Sequence, residues 1–177
     1  MTQVATALLF PDDVSKAIVD IRVRFGSVRA RAVVPHITLM YPFVPKVATD
    51  VLRERLEAVA REHAPFSLVL DGFGYFEGEN TVAYLAVEDA GPVLALQRSM
   101  TDSLADVAEG RLTHFENEGF VPHVTIHDEI SKERLASFKT EVAAAEFHCA
   151  AAIKTFCLFA NDGTGWRVAY TFRLSGH

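Results

Sequence analysis

Apolar and polar positions change period several times along the chain, and each change marks the boundary of a predicted element. Alternating or continuous apolar runs predict seven strands, at residues 4–10, 33–43, 66–76, 81–87, 120–129, 147–160 and 166–174. Apolar residues at helical spacing predict four helices, at about residues 12–25, 50–64, 91–109 and 132–145.

The order of these elements is repeated. Each half of the chain reads helix, a strand containing Pro-His, helix and hairpin, and the two Pro-His strands are about half the chain apart. This order predicts an α+β fold with two pseudo-symmetric lobes, each an antiparallel sheet with flanking helices, around a central cleft. We expect residues 1–177 to form a single bilobal domain, with the His36 motif in the first lobe and the His123 motif in the second.

The repeated strand carries the candidate chemistry, and its two copies read VPHITL and VPHVTI. Residues two apart on a strand point to the same face, so His36 and Thr38 share one face, as do His123 and Thr125. Two imidazoles with neighbouring hydroxyls, presented by two lobes, suit a reaction that needs a base and an acid around a central anion. We therefore predict that His36 and His123 are the catalytic pair.

Composition narrows the function classes. Half of the 177 residues are hydrophobic, and the formal net charge of -6 argues against binding of long nucleic acid through a broad basic surface. Cys149 and Cys157 are predicted to be free thiols, because eight residues of one strand would hold them apart. The apolar run near the N-terminus is too short for a membrane span. We expect a cytoplasmic monomer without a membrane partner.

The motifs PHITL and PHVTI, with the hairpin GFGYF to VAYLAV and the final WRVAYTFRL, resemble the two-histidine (2H) phosphoesterase superfamily. That group includes 2'-5' RNA ligase-like proteins and cyclic nucleotide phosphodiesterases. The resemblance implies an enzyme that needs neither metal nor other cofactor and acts on a 2',3'-cyclic phosphate or 2',5'-phosphodiester of a nucleotide or short RNA terminus. Thr38 and Thr125 would hydrogen-bond to the phosphate, and which histidine is the acid stays open.

Several further residues near the motifs are candidates for substrate binding. Many relatives carry a basic residue after the second motif, whereas this chain has His127, which either lines the cleft or lies at its rim. Two arginines precede the first motif, and aromatic side chains near the motifs and the first hairpin are candidates for stacking on a base. These residues are Arg29, Arg31, Tyr41, Phe43, Phe76 and Phe120.

Two other functions are compatible with the sequence. The same fold would serve an RNA-end binding protein or a 2'-5' RNA ligase, which requires a local basic cleft because the net charge is negative. A metal-dependent hydrolase would use His123, His127 and His114, and would lose activity when its ion is removed.

Overall fold

The computed structural model describes residues 2–109 and 119–176. Within these ranges the helices are α1 Asp12–Arg24, α2 Thr49–Glu62, α3 Gly91–Ser103 and α4 Lys132–Ala143. Its first five strands, within 2–109, are β1 Gln3–Leu9, β2 His36–Pro45, β3 Phe66–Phe76, β4 Thr81–Val87 and β5 Ala108–Glu109. The later strands, within 119–176, are β6 His123–Ile130, β7 His148–Ile153, β8 Thr155–Asn161 and β9 Trp166–Arg173.

The strands form two antiparallel sheets, which confirms the predicted α+β fold. One sheet has the order β5-β2-β1-β8-β9 and the other has the order β6-β4-β3-β7. Each sheet contains one Pro-His strand, but each also takes strands from both halves of the chain. The first hairpin, β3-β4, pairs with the second motif strand, β6. The last hairpin, β8-β9, lies in the same sheet as the first motif strand, β2. A lobe is therefore not a consecutive half of the chain.

Two predicted elements were drawn too long. The strand predicted at 147–160 ends at Ile153, and its parts pair in different sheets: β7 with β3, and β8 with β1 and β9. The helix predicted to reach Glu109 ends at Ser103, and residues 108–109 form the edge strand β5 beside β2. The hydrophobic pattern runs without a break through residues 147–160 and through residues 91–109. The observed boundaries therefore follow from which strands pair with each part and not from the pattern.

The helices cover the two sheets separately. Helices α2 and α3 pack on each other and on the five-stranded sheet, whereas α1 packs on β6 and β7 of the other sheet. Phe25 at the end of α1 contacts Phe138 of α4, with ring centroids 5.6 Å apart. One buried hydrophobic cluster includes residues of both sheets, among them Leu8 and Leu85, so the lobes share a core. No helix within the described ranges is long and apolar enough to cross a membrane.

The two motif strands have the same burial pattern. From residue 34 to 43 and from 121 to 130, buried, half-buried and exposed positions follow in the same order. In each strand the pairing register shifts directly after the motif threonine. Each shift is a bulge, which places two consecutive buried residues where simple alternation would place one inside and one outside. The sequence repeat is thus also a repeat of backbone shape.

Candidate active site

Each motif histidine is fixed through the same ring nitrogen. Nδ1 of His36 lies 2.8 Å from the carbonyl oxygen of Val34, and Nδ1 of His123 lies 2.7 Å from that of Val121. A carbonyl only accepts hydrogen bonds, so Nδ1 carries the proton and donates in both rings. Nε2 is then left to accept a proton in the neutral ring or to donate one in the charged ring.

The two histidines lie close enough to influence each other. Strands β2 and β6 approach each other directly, although they belong to different sheets. Burial lowers the pKa of His36 below its ordinary 6.5; the Val34 hydrogen bond opposes this shift, and the charge of Arg22 adds to it. Burial also lowers the pKa of His123, with the Val121 bond opposing and the charge of His36 adding. At neutral pH the neutral form of each ring is favoured.

The predicted threonines lie on the walls of two neighbouring cavities that meet at His36. Thr38 lines a cavity of about 400 Å³, which we call the apolar cavity. Thr125 lines a smaller one of about 180 Å³, the interlobe cavity, to which β2 contributes His36 and β6 contributes Thr125. The structure therefore brings His36 of the first motif and Thr125 of the second to one cavity, whereas His123 lines neither cavity.

Aromatic and small residues form the apolar cavity. Of the predicted aromatic side chains, Tyr41 lines it, and Phe159 and Trp166 line it as well. Phe159 lies beside His36, with ring centroids 6.5 Å apart, and Trp166 keeps 45% of its surface exposed. Sequence reasoning missed these last two residues, because the pairing that brings the final hairpin into the His36 sheet is not visible in the chain order.

A second aromatic group supports His123. The rings of Phe76 and Tyr84 stack with centroids 4.4 Å apart, and both contact the His123 ring, at 4.8 Å and 5.3 Å. Tyr84 faces Gly74 across the β3-β4 pair, and its ring occupies the space that a side chain at residue 74 would fill. Phe76 was predicted near the site, whereas Tyr84 was missed.

Other predicted substrate contacts lie elsewhere. Phe43 is 1% exposed and belongs to the core, so the prediction that it stacks on a base is wrong. His127 is buried, with Nδ1 2.6 Å from the carbonyl oxygen of Asp128 and its ring against Phe138, so neither predicted position of His127 is correct. The bulge after Thr125 causes this, since it breaks the alternation on which the prediction rested.

The remaining predicted residues divide in the same way. Phe120 is half-buried and packs against the core, and Arg31 is exposed. Arg29 lines the interlobe cavity, where its guanidinium forms an ion pair with Asp128 at 3.2 Å and a longer one with Glu129. Among the predicted arginines, Arg29 is thus the one placed beside the motifs.

The ligand set of the metal hypothesis is not assembled. His123 contacts the rings of Phe76 and Tyr84, whereas His127 packs on α4, and His114 lies outside the described residues. Within residues 2–109 and 119–176, no group of three or more His, Cys, Asp or Glu side chains is arranged to hold a metal ion. Cys149 and Cys157 are both free and lie on strands of different sheets.

Comparison with known proteins identifies the family and the fold of the chain. Residues 10–165 match the model of the 2'-5' RNA ligase superfamily. A protein of Bacillus cytotoxicus named as a candidate phosphoesterase is 30% identical over 142 residues, which are 79% of this chain and 78% of that protein. TT0787 of Thermus thermophilus has a TM-score of 0.69 at 21% identity, covering 99% of both chains. LigT of E. coli complexed with 3'-AMP has a TM-score of 0.69 at 18% identity, covering 98% of both.

The α+β fold with one Pro-His-x-Thr strand in each of two sheets is that of a two-histidine protein. The chain belongs to the 2'-5' RNA ligase superfamily, the group of 2H phosphoesterases. The resemblance inferred from the paired motifs is confirmed.

Proposed function

We propose that the protein is a phosphoesterase that hydrolyses a 2',3'-cyclic phosphate or a 2',5'-phosphodiester of a nucleotide or RNA end, with His36 and His123 as the proton-transfer pair. The observation that supports this proposal most directly is that the rings of His36 and His123 are held by equivalent hydrogen bonds. Each Nδ1 donates to a carbonyl two residues earlier, which leaves each Nε2 for exchange of a proton with substrate.

The reaction needs one proton removed and one supplied. The neutral histidine takes a proton from water as the water oxygen attacks phosphorus. The bond from phosphorus to the leaving ribose oxygen breaks, and the charged histidine gives its proton to that oxygen. The hydroxyls of Thr38 and Thr125 donate hydrogen bonds to phosphate oxygens, whose charge grows in the transition state. The product is a phosphate monoester or a shortened chain, and the two histidines have exchanged protonation states.

A nucleotide fits the surroundings of the pair. The apolar cavity beside His36 offers Tyr41, Phe159 and Trp166 to a flat ring, and aromatic stacking is the usual way in which proteins hold an unpaired base. LigT of E. coli, which has the same fold, has been crystallised with 3'-AMP, NADP+ and ATP. These complexes support a nucleotide as the substrate class.

The test is hydrolysis of a substrate panel in the presence of a chelator. The panel contains 2',3'-cyclic mononucleotides, 2',5'-linked dinucleotides and an RNA ending in a cyclic phosphate, with 3',5'-linked dinucleotides as controls. We expect turnover of at least one cyclic or 2',5'-linked compound with EDTA present, and none by His36→Gln. Turnover equal to that of His36→Gln on every compound would refute the proposal, and formation of 2',5' joints without hydrolysis would favour a ligase.

A further inference from the structure

Arg22 occupies a position on helix α1 that ordinarily holds an apolar residue. It follows the buried residues Val14 and Ile18 at helical spacing, and it is 5% exposed. A buried guanidinium loses much hydration, and proteins seldom bury one without a partner that replaces this hydration. The burial of Arg22 therefore has to be explained by the groups that it contacts.

Those contacts reach the backbone of both motif segments. Nε of Arg22 donates to the carbonyl oxygen of Thr125 at 2.9 Å, and Nη1 donates to that of Val33 at 2.6 Å. Thr125 is the threonine of the second motif. Val33 precedes Val34, whose carbonyl fixes the ring of His36. One side chain thus joins β6, which carries Thr125, to the segment that leads into β2 and His36, although β2 and β6 belong to different sheets.

The charge of Arg22 has no close counter-charge in the described part of the chain. Its hydrogen bonds go to neutral carbonyls, and no carboxylate of residues 2–109 or 119–176 lies within 4 Å of it, although Asp128 acts from farther away. The Asp128 carboxylate is instead paired with Arg29. Arg22 also lines the interlobe cavity together with His36 and Thr125. An anion bound in that cavity would supply the missing negative charge.

We infer that Arg22 is a positioning residue that holds strand β6 and the segment entering β2 at a fixed spacing, and that its charge attracts the phosphate group to the interlobe cavity. This inference rests on the proposed function, because the phosphate is that of the substrate. Arginine suits both tasks, since its planar fork donates in two fixed directions and its charge persists when it is buried. Lysine would retain the charge but has a single nitrogen, which cannot reproduce the fork.

Two substitutions separate the tasks. Arg22→Lys keeps the charge and removes the bridge, whereas Arg22→Gln removes the charge and keeps one donor. Arg24→Gln is the matched control, because it makes the same charge change on the same helix at an exposed position. Thermal unfolding first establishes that each variant is folded.

The charge is tested by NMR titration of the histidine rings, with inorganic phosphate as the probe. In Arg22→Gln the pKa of His36 should rise, and the affinity for phosphate should fall about tenfold or more, whereas Arg22→Lys and Arg24→Gln should stay near the wild type. An unchanged His36 pKa and unchanged phosphate affinity in folded Arg22→Gln would overturn the electrostatic part.

The bridge is tested by amide hydrogen exchange. Peptides covering residues 30–38 and 120–128 should exchange about tenfold faster in Arg22→Lys, while Arg24→Gln should match the wild type. Unchanged exchange in these peptides would overturn the positioning part. On a substrate that the wild type hydrolyses, Arg22→Lys should lower kcat more than it raises KM. If the wild type hydrolyses nothing in the panel, the proposed function fails, but the titration and exchange measurements still decide the role of Arg22.

Discussion

Gly74 is a position at which a single added methyl group should disturb the site. The Tyr84 ring lies across it, and a Cβ at residue 74 would overlap that ring. In Gly74→Ala the ring must move, so it leaves its stack on Phe76 and its contact with His123. Without a clash, replacing glycine by alanine in a strand should slightly stabilise the protein, because glycine loses more conformational entropy on folding. A loss of stability in Gly74→Ala would therefore have to come from the contact with the Tyr84 ring.

The size of the loss follows from the contacts involved. Overpacking of this kind costs about 1–3 kcal/mol, and the aromatic stack contributes about 0.5–1.5 kcal/mol beyond its buried area. Gly74 and Tyr84 are half-buried and Phe76 is exposed, so the lower part of each range applies. A total near 2 kcal/mol lowers the melting temperature by about 4–8 °C in a protein of this size. Because the rings of Phe76 and Tyr84 contact the His123 ring and fix its position, we also expect kcat/KM to fall about tenfold or more.

The assay is thermal and urea unfolding with turnover measured on the same preparations. Gly78→Ala is the matched control in the same hairpin, since its Cβ would meet only the Asn80 carbonyl oxygen at 3.6 Å. In a Tyr84→Ala background the clash is absent, so adding Gly74→Ala should cost less than about 0.5 kcal/mol. An unchanged melting temperature and unchanged turnover in Gly74→Ala alone would refute this role of the glycine.

Three further results are expected. His36→Gln and His123→Gln should each lower kcat/KM at least about 100-fold, as loss of acid-base catalysis does. The control is His63→Gln, which should leave turnover unchanged because His63 lies outside the site and is hydrogen-bonded to Ser99. Near-normal turnover in either motif variant would contradict the mechanism. Both motif histidines have a lowered pKa in the folded protein, so the unfolded chain binds more protons near pH 6, and the free energy of unfolding should fall as pH falls from about 7.5 to 5.5. The double variant His36→Gln/His123→Gln should show a weaker dependence of the urea midpoint on pH. A dependence equal to that of the wild type would count against the lowered pKa values. Trp166→Ala should raise KM about 5-fold or more with little change in kcat, since stacking on a base contributes about 1–3 kcal/mol. The control Val168→Ala should change neither KM nor kcat. An equal rise in KM with a substrate that lacks a base would exclude stacking.

The sequence predicted most of what is local in the site. A repeated Pro-His-x-Thr strand defines a face by its alternation, so His36 and Thr38 could be placed with each other, as could His123 and Thr125. Alternation failed directly after each threonine because a bulge inserts a residue there. The same displacement buries Met40 in one strand and His127 in the other, and nothing in the hydrophobic pattern distinguishes a bulge from a continuing strand.

Long-range pairing accounts for most of the remaining differences. The chain order could not show that the last hairpin joins the His36 sheet, and this pairing brings Phe159 and Trp166 to the apolar cavity. Nor could it show that the first hairpin joins the His123 strand, which brings Tyr84 to that ring. Arg22 did leave a signal, because it is a charged residue at a core-facing position of an amphipathic helix. Recognising its role required the strands on either side of it.

The dependence of kcat/KM on pH tests the central claim most directly, with a 2',3'-cyclic nucleotide that does not itself titrate between pH 4.5 and 9. Two histidines acting as base and acid give a bell-shaped profile, and both pKa values are below the ordinary 6.5. We therefore predict a maximum on the acid side of pH 6.5 and falling activity through neutral pH, in a range where unfolding controls show the fold intact. A profile that is flat from pH 5 to 8, or one that rises to a plateau above pH 8, would contradict the claim.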